Sequence, residues 1–163
     1  MGALYEADFY GWAIEQAESL RQAGRARLNT PKAVDWENVA EELDGLARSE
    51  ARELRSRYKT LLIHLLKWRH QPKRRTRSWE VSIGRERDEI PLHLAENPGL
   101  VPRVEELFAT AYGLARREAA RQTRLPLEAF PEDPPFTPEQ ALRDDFWPNR
   151  ELGADSSSSD VAR

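Results

Sequence analysis

The sequence predicts an all-α fold, and three features of its 163 residues carry that prediction. Apolar residues recur at intervals of three, four and seven over four long stretches, strand-type alternation is absent, and Asp, Ser, Thr, Gly and Pro punctuate the stretches where helices begin and end. The length fits one domain of roughly 100–200 residues. Leu, Ile, Val and Phe supply 34 residues, close to the ~20% below which chains tend to stay disordered, but five Trp, four Tyr and a net charge of only −3 favour a folded, lean core.

The first helix is predicted over about 9–23: Asp8 caps it, Phe9, Trp12, Ala13 and Leu20 form its stripe, and Gly24 stops it. Asp35 then precedes a stripe from Trp36 and Val39 through Leu43, Leu54, Tyr58, Leu61 and Leu65 to Trp68, ended by Pro72. A helix over 36–70 would be about 52 Å long, so a kink near Gly45 to Ser49 is expected. Ser78 is expected to cap a third helix burying Trp79, Ile83, Ile90 and Leu94, which Pro91 should bend by removing a donor. Pro102 leads a fourth helix to about Gln122, with Val104, Leu107, Phe108, Ala111, Leu114 and Ala115 on one side.

From Pro126 to Pro148 the composition shifts. Six of the eleven prolines fall here, among Phe130, Phe136, Phe146 and Trp147, which reads as an extended strap laid across the bundle, either fixed or a lid. Thr137, Pro138 and Gln140 form a capping-box signature for a short helix over about 138–143. One domain over 1–150 and a disordered, Ser-rich tail over 151–163 are expected.

Composition narrows the chemistry. Cysteine is absent, so disulfides, thiolate nucleophiles and cysteine-ligated metals are excluded. Charged residues make up 33% and mean hydropathy is −0.76; no apolar run approaches the ~20 residues needed to span a bilayer. The start, MGALYEADFYGW, lacks the regions of a signal peptide, and a cytoplasmic protein with no membrane partner is expected.

Four blocks, LYEADFYGWAIEQAESLR, VDWENVAEELDGLARSEARELRSR, HLLKWRHQPKRRTRSWEVSI and FPEDPPFTPEQALRDDFWP, closely resemble a bacterial family known as domain of unknown function 29 (DUF29). The resemblance spans about Leu4 to Pro148. It implies a helical fold in a bacterial, cytoplasmic setting and brings no catalytic residues.

Two constellations remain as candidate sites. Glu50, Arg57 and His64 follow Trp36 and Leu43 at steps of seven, and seven residues fall only about 20° short of two turns, so they lie on the buried edge. Glu86 sits similarly beside Ile83 and Ile90, and Gln16 interrupts the first stripe. Converging inside the bundle, His64 would serve as base, Glu50 or Glu86 would orient it, and Arg57 or Arg77 would stabilise anionic charge in a hydrolase or phosphodiester-cleaving enzyme. No Glu-x-x-His or His-Glu-x-x-His pair occurs, and no metal or cofactor is assigned. The plainer account is a charge-paired polar layer that fixes helix register.

The second constellation is the turn around Pro72. Residues 64–87 carry eight cations against two acids, a net of +6, with Trp68, His70 and Trp79 interleaved. Lys67, Arg69, Lys73, Arg74, Arg75 and Arg77 suit a polyanion, where charge supplies affinity and rings supply stacking. The plainer account docks this turn on acidic neighbours, because residues 35–54 sum to −5 and 127–163 to −6. The acids at 35, 37, 41 and 42 read as a cap and a first turn favoured by the helix dipole. The expectation is therefore a small binding module using the turn 67–87, with nucleic acid or an acidic protein as partner. The alternatives are the intrabundle enzyme and an obligate dimer or antitoxin-like partner protein.

Overall fold

The computed structural model describes residues 2–26 and 31–149, and among them all regular structure is helical. In chain order these are α1 (Gly2–Ala7), α2 (Phe9–Ala26), α3 (Trp36–His70), α4 (Arg77–Glu96), α5 (Val104–Thr123) and α6 (Pro138–Leu142). Short 3₁₀ turns lie at Pro72–Arg74, Pro98–Arg103 and Leu127–Ala129. The tail predicted over 151–163 lies outside the described residues.

Helix α3 is the axis against which α2, α4 and α5 pack. Asp35 caps it, its side chain accepting from the Asn38 amide at 3.1 Å, and it runs through Gly45 to Ser49 as one helix of 35 residues. Its C-terminal half supplies most of the core, with Leu54, Tyr58, Leu61, Leu62, Leu65 and Leu66 fully buried. The N-terminal half departs from the predicted stripe: Val39 is 43% exposed, whereas Ala13, Ala17 and Ala40 are fully buried. Small residues make the α2–α3 contact, and the bulkier Val39 lies beside it.

Helix α2 begins as expected at Asp8, whose Oδ1 accepts from the Gly11 amide at 3.0 Å. Gly24 does not stop it. A Cβ at Gly24 would come within 2.8 Å of the Trp36 Cβ, so glycine serves there to let the start of α3 approach. The cap of α4 also differs from expectation. Thr76, extended at φ −128° and ψ 156°, accepts from the Trp79 amide, and Ser78 lies inside the first turn. Pro91 is accommodated within α4, which continues to Glu96. Helix α5 ends at Arg124 in the left-handed conformation, φ 60°.

The strap is anchored by side-chain donors of α4 and α5. Phe130 and Phe136 are buried in the core, and Phe146 and Trp147 pack against it half-buried. A proline-rich segment cannot satisfy its own carbonyls by helix or sheet ladders, so other donors must. Arg116 Nε donates to the Phe130 carbonyl at 3.0 Å, the Tyr112 hydroxyl donates to Pro131 at 2.6 Å, and Arg87 donates to three carbonyls of residues 141–146. Thr137 and Gln140 form the predicted reciprocal capping box on α6.

Candidate functional site

The polar edge of α3 divides between two places. Arg57 Nη1 lies 3.4 Å from Glu86 Oε2, joining α3 to α4, and the same guanidinium reaches Glu53 at 3.0 Å and Glu89 at 3.5 Å. Glu86, only 4% exposed, also accepts from Arg85 at 3.1 Å. Glu50 stands apart from this group. Its Oε2 lies 3.6 Å from His93 Nε2 and 3.5 Å from Asn97 Nδ2, while its backbone carbonyl accepts from His93 at 3.0 Å. Asn97 completes that second group by accepting the Tyr10 amide at 3.1 Å, so α2, α3 and α4 are tied together there.

His64 lies one further step of seven along α3 beyond Arg57, on the side away from Glu50, and hydrogen-bonds to neither carboxylate among the described residues. Its Nδ1 stands 2.9 Å from the Thr60 carbonyl, which can only accept, so the proton sits on Nδ1 and the Nε2 lone pair remains open. Burial holds this imidazole below its ordinary pKa, outweighing the Thr60 hydrogen bond and the Glu86 charge. Arg57 and Glu86 are thus brought together, His64 is a neutral neighbour of Glu86, and Glu50 is engaged with His93. Among the described residues no three His, Asp or Glu side chains are grouped to hold a metal ion.

The predicted cationic turn is also divided. Arg69 is buried, 9% exposed, because it follows Leu62 by seven and Leu65 by four on the core stripe. Arg75 folds back, with its guanidinium carbon 4.7 Å from the Trp68 ring and its Nε donating to the Trp68 carbonyl at 3.0 Å. Lys67 covers Trp79 at 4.5 Å and donates to Gln122 at 3.1 Å; desolvation lowers its pKa. Trp68 packs on Trp147 of the strap with centroids 4.5 Å apart. The two tryptophans are therefore engaged by the protein's own side chains. Lys73, Arg74 and Arg77 are exposed and carry no acidic partner among the described residues.

Several of the acids expected to neutralise the turn are paired elsewhere. Arg21 on α2 contacts Glu37 at 3.0 Å, Glu41 at 3.4 Å and Asp44 at 2.8 Å, and Arg143 pairs with Asp145 at 2.6 Å.

The family model for the domain of unknown function DUF29 matches residues 4–147, nearly the whole described chain. The chain belongs to the DUF29 family. A solved structure similar to this DUF29 chain is an alpha-helical protein of unknown function from Rhodospirillum rubrum, 26% identical. The likeness covers 87% of this chain and 90% of that one, with a TM-score of 0.62. No curated protein matches. Within this DUF29 structure, the residues that sequence reasoning missed are Arg87 and Arg116, which hold the strap, and Arg52, Arg55 and Lys59, which line a groove between α3 and α5. Arg87 carried a readable signal, standing between Ile83 and Ile90 at helical spacing; the groove depends on which face α5 covers.

Proposed function

We propose that this DUF29 chain is a small binding module of the bacterial cytoplasm that takes a polyanion on the turn joining α3 to α4. The observation that carries the reading is the set Lys73, Arg74 and Arg77: three closely spaced exposed cations with no acidic partner among the described residues. Guanidinium groups match phosphate and carboxylate oxygens in paired hydrogen bonds, and a cluster without internal neutralisation gains most from an external anion. Nucleic acid is the favoured partner, because two of the three cations are arginines and the strength of such binding scales with the phosphates neutralised. An acidic protein is the competing one.

The test is retention on immobilised heparin at low salt. Replacing Lys73, Arg74 and Arg77 together by Glu should abolish retention while circular dichroism shows unchanged helicity. Retention equal to the parent chain would remove the turn as the contact surface.

A further inference from the structure

The geometry points to a second polyanion site, in the groove between α3 and α5, that takes the phosphate backbone of a nucleic acid duplex. Two hollows lie in series along this groove, of about 410 Å³ and about 260 Å³, and Arg52 and Arg55 line both. Lys59 extends the row. Intervals of three and four residues place Arg52, Arg55 and Lys59 along one face of α3, spread over about 10 Å of helix rise.

All three lack an ion pair or side-chain hydrogen bond among the described residues. The acids in the groove walls are occupied: Glu53 lies 3.0 Å from Arg57, and Glu106 lies 2.9 Å from Arg103. Like charges three and four residues apart repel one another and destabilise a helix. Of the acids on α5, Glu118 acts on Lys59 through its charge without forming an ion pair with it, and is itself paired with Arg121 at 3.0 Å. A bound anion would reverse that repulsion. Ser49 and Ser56 add hydroxyl donors on the same wall, of the kind that contact phosphate oxygens.

The occupant's class follows from what the groove lacks. Its apolar lining is Ala51, Leu107 and Leu114, with no aromatic ring. Protein partners anchor through aromatic and Arg side chains seated in desolvated pockets, and unpaired bases stack on aromatic faces. Neither has a seat here. A duplex hides its bases and offers a ridge of regularly spaced phosphates, which a row of cations and hydroxyls can read without rings. This site is separate from the turn and does not depend on it.

The experiment is fluorescence anisotropy of a labelled DNA duplex with the full chain, titrated between about 50 mM and about 200 mM salt. The combined variant R52Q/R55Q/K59Q should bind on the order of tenfold more weakly at the lower salt, and the slope of log affinity against log salt should flatten by about 0.9 for each phosphate that is no longer neutralised. K73Q/R74Q/R77Q is the comparison. If that turn variant loses all binding while the groove variant matches the parent chain, the groove proposal is overturned and the turn reading stands. If the parent chain is retained on heparin but does not bind the duplex, the groove proposal again fails alone. A polyglutamate peptide that displaces the duplex at equal charge concentration would overturn the assignment to nucleic acid. Should the triple variant lose helicity, R55Q and K59Q singly must each flatten the slope, and unchanged slopes in both would overturn the site.

Discussion

Arg87 and Phe146 are 59 positions apart in the chain, and Nη2 of the arginine lies 2.5 Å from the carbonyl oxygen of the phenylalanine. The same side chain donates to Ala141 at 3.0 Å and Asp144 at 3.4 Å, and its guanidinium carbon lies 5.1 Å from the Trp147 ring. One buried fork therefore satisfies three carbonyls of a segment that cannot satisfy them itself. Replacement by Met keeps the stem and removes every donor. Arg87→Met should cost about 2–4 kcal/mol in urea unfolding, since buried carbonyls are left unpaired. It should also open the chain to proteolysis around 141–147. Arg87→Lys should recover less than half of the loss, because an ammonium cannot reproduce the planar fork. A Met variant with the parent's midpoint would show that packing alone holds the strap.

The end of α5 stores strain at Arg124, an exposed residue at φ 60° and ψ 22°. A side chain in this left-handed conformation costs roughly 1 kcal/mol that glycine avoids. Glycine also has more freedom to lose on folding, which offsets part of the gain. Arg124→Gly should raise stability by about 0.5 kcal/mol, a shift of roughly 1–2 °C in thermal midpoint for a chain of this size. A lower midpoint would mean that the Arg124 side chain contributes a contact worth more than the strain.

Glycines 24 and 113 should respond oppositely to alanine. Nothing lies within 4 Å of a Cβ built at Gly113, in the middle of α5, so Gly113→Ala should stabilise by about 0.5–1 kcal/mol through helix propensity. At Gly24 the new methyl meets the Trp36 Cβ at 2.8 Å. Two backbones must separate to admit it, at a cost of about 1–3 kcal/mol that exceeds the propensity gain. Thermal melts of the two variants moving in the same direction would contradict this account of the α2–α3 contact.

The helices were legible in the sequence wherever apolar spacing and caps agreed, as at Asp35 and at the Thr137–Gln140 box. Local choices between equivalent capping residues were not: Thr76 and Ser78 both suit the role, and the extended backbone at Thr76 decides it. The same step of seven that brought out Glu50, Arg57 and His64 also applies to Arg69 behind Leu62, so its burial was readable, although its positive charge suggested a surface role. What spacing along one helix cannot supply is the partner on another. Glu50 meets His93 across 43 residues and Arg57 meets Glu86 across 29, and only the packing of α4 separates those pairs. The strap's aromatics announced that it would be covered, but nothing local announced that Arg87 and Arg116 would hold it.

The Arg57–Glu86 contact should carry more energy than Arg85–Glu86, although both distances are similar. Arg57 is 25% exposed and holds three carboxylates, whereas Arg85 is 61% exposed and is screened by solvent. A double-mutant cycle on Arg57→Ala and Glu86→Ala should give a coupling of about 1–2 kcal/mol, against less than about 1 kcal/mol for the Arg85 pair. Equal couplings would place Glu86 in a more solvated setting than its 4% exposure indicates.

His64 makes stability depend on pH in one direction. Burial holds its folded pKa below the ordinary imidazole value, with Lys67 and Arg85 acting in the same sense and the Thr60 carbonyl and Glu86 opposing. Below about pH 6.5 the unfolded chain therefore binds a proton that the folded chain resists, and stability rises with pH wherever the unfolded state holds more protons. The parent chain should thus lose stability as pH falls from about 7 toward about 5, until the folded imidazole itself titrates. Carboxylates also respond in the lower part of that range, so the informative quantity is the difference from His64→Gln, measured by urea unfolding at each pH. That difference should shift against the parent chain on acidification and be flat above about pH 7.5. A difference that stays constant across the range would mean that His64 accepts its proton as readily in the bundle as in water.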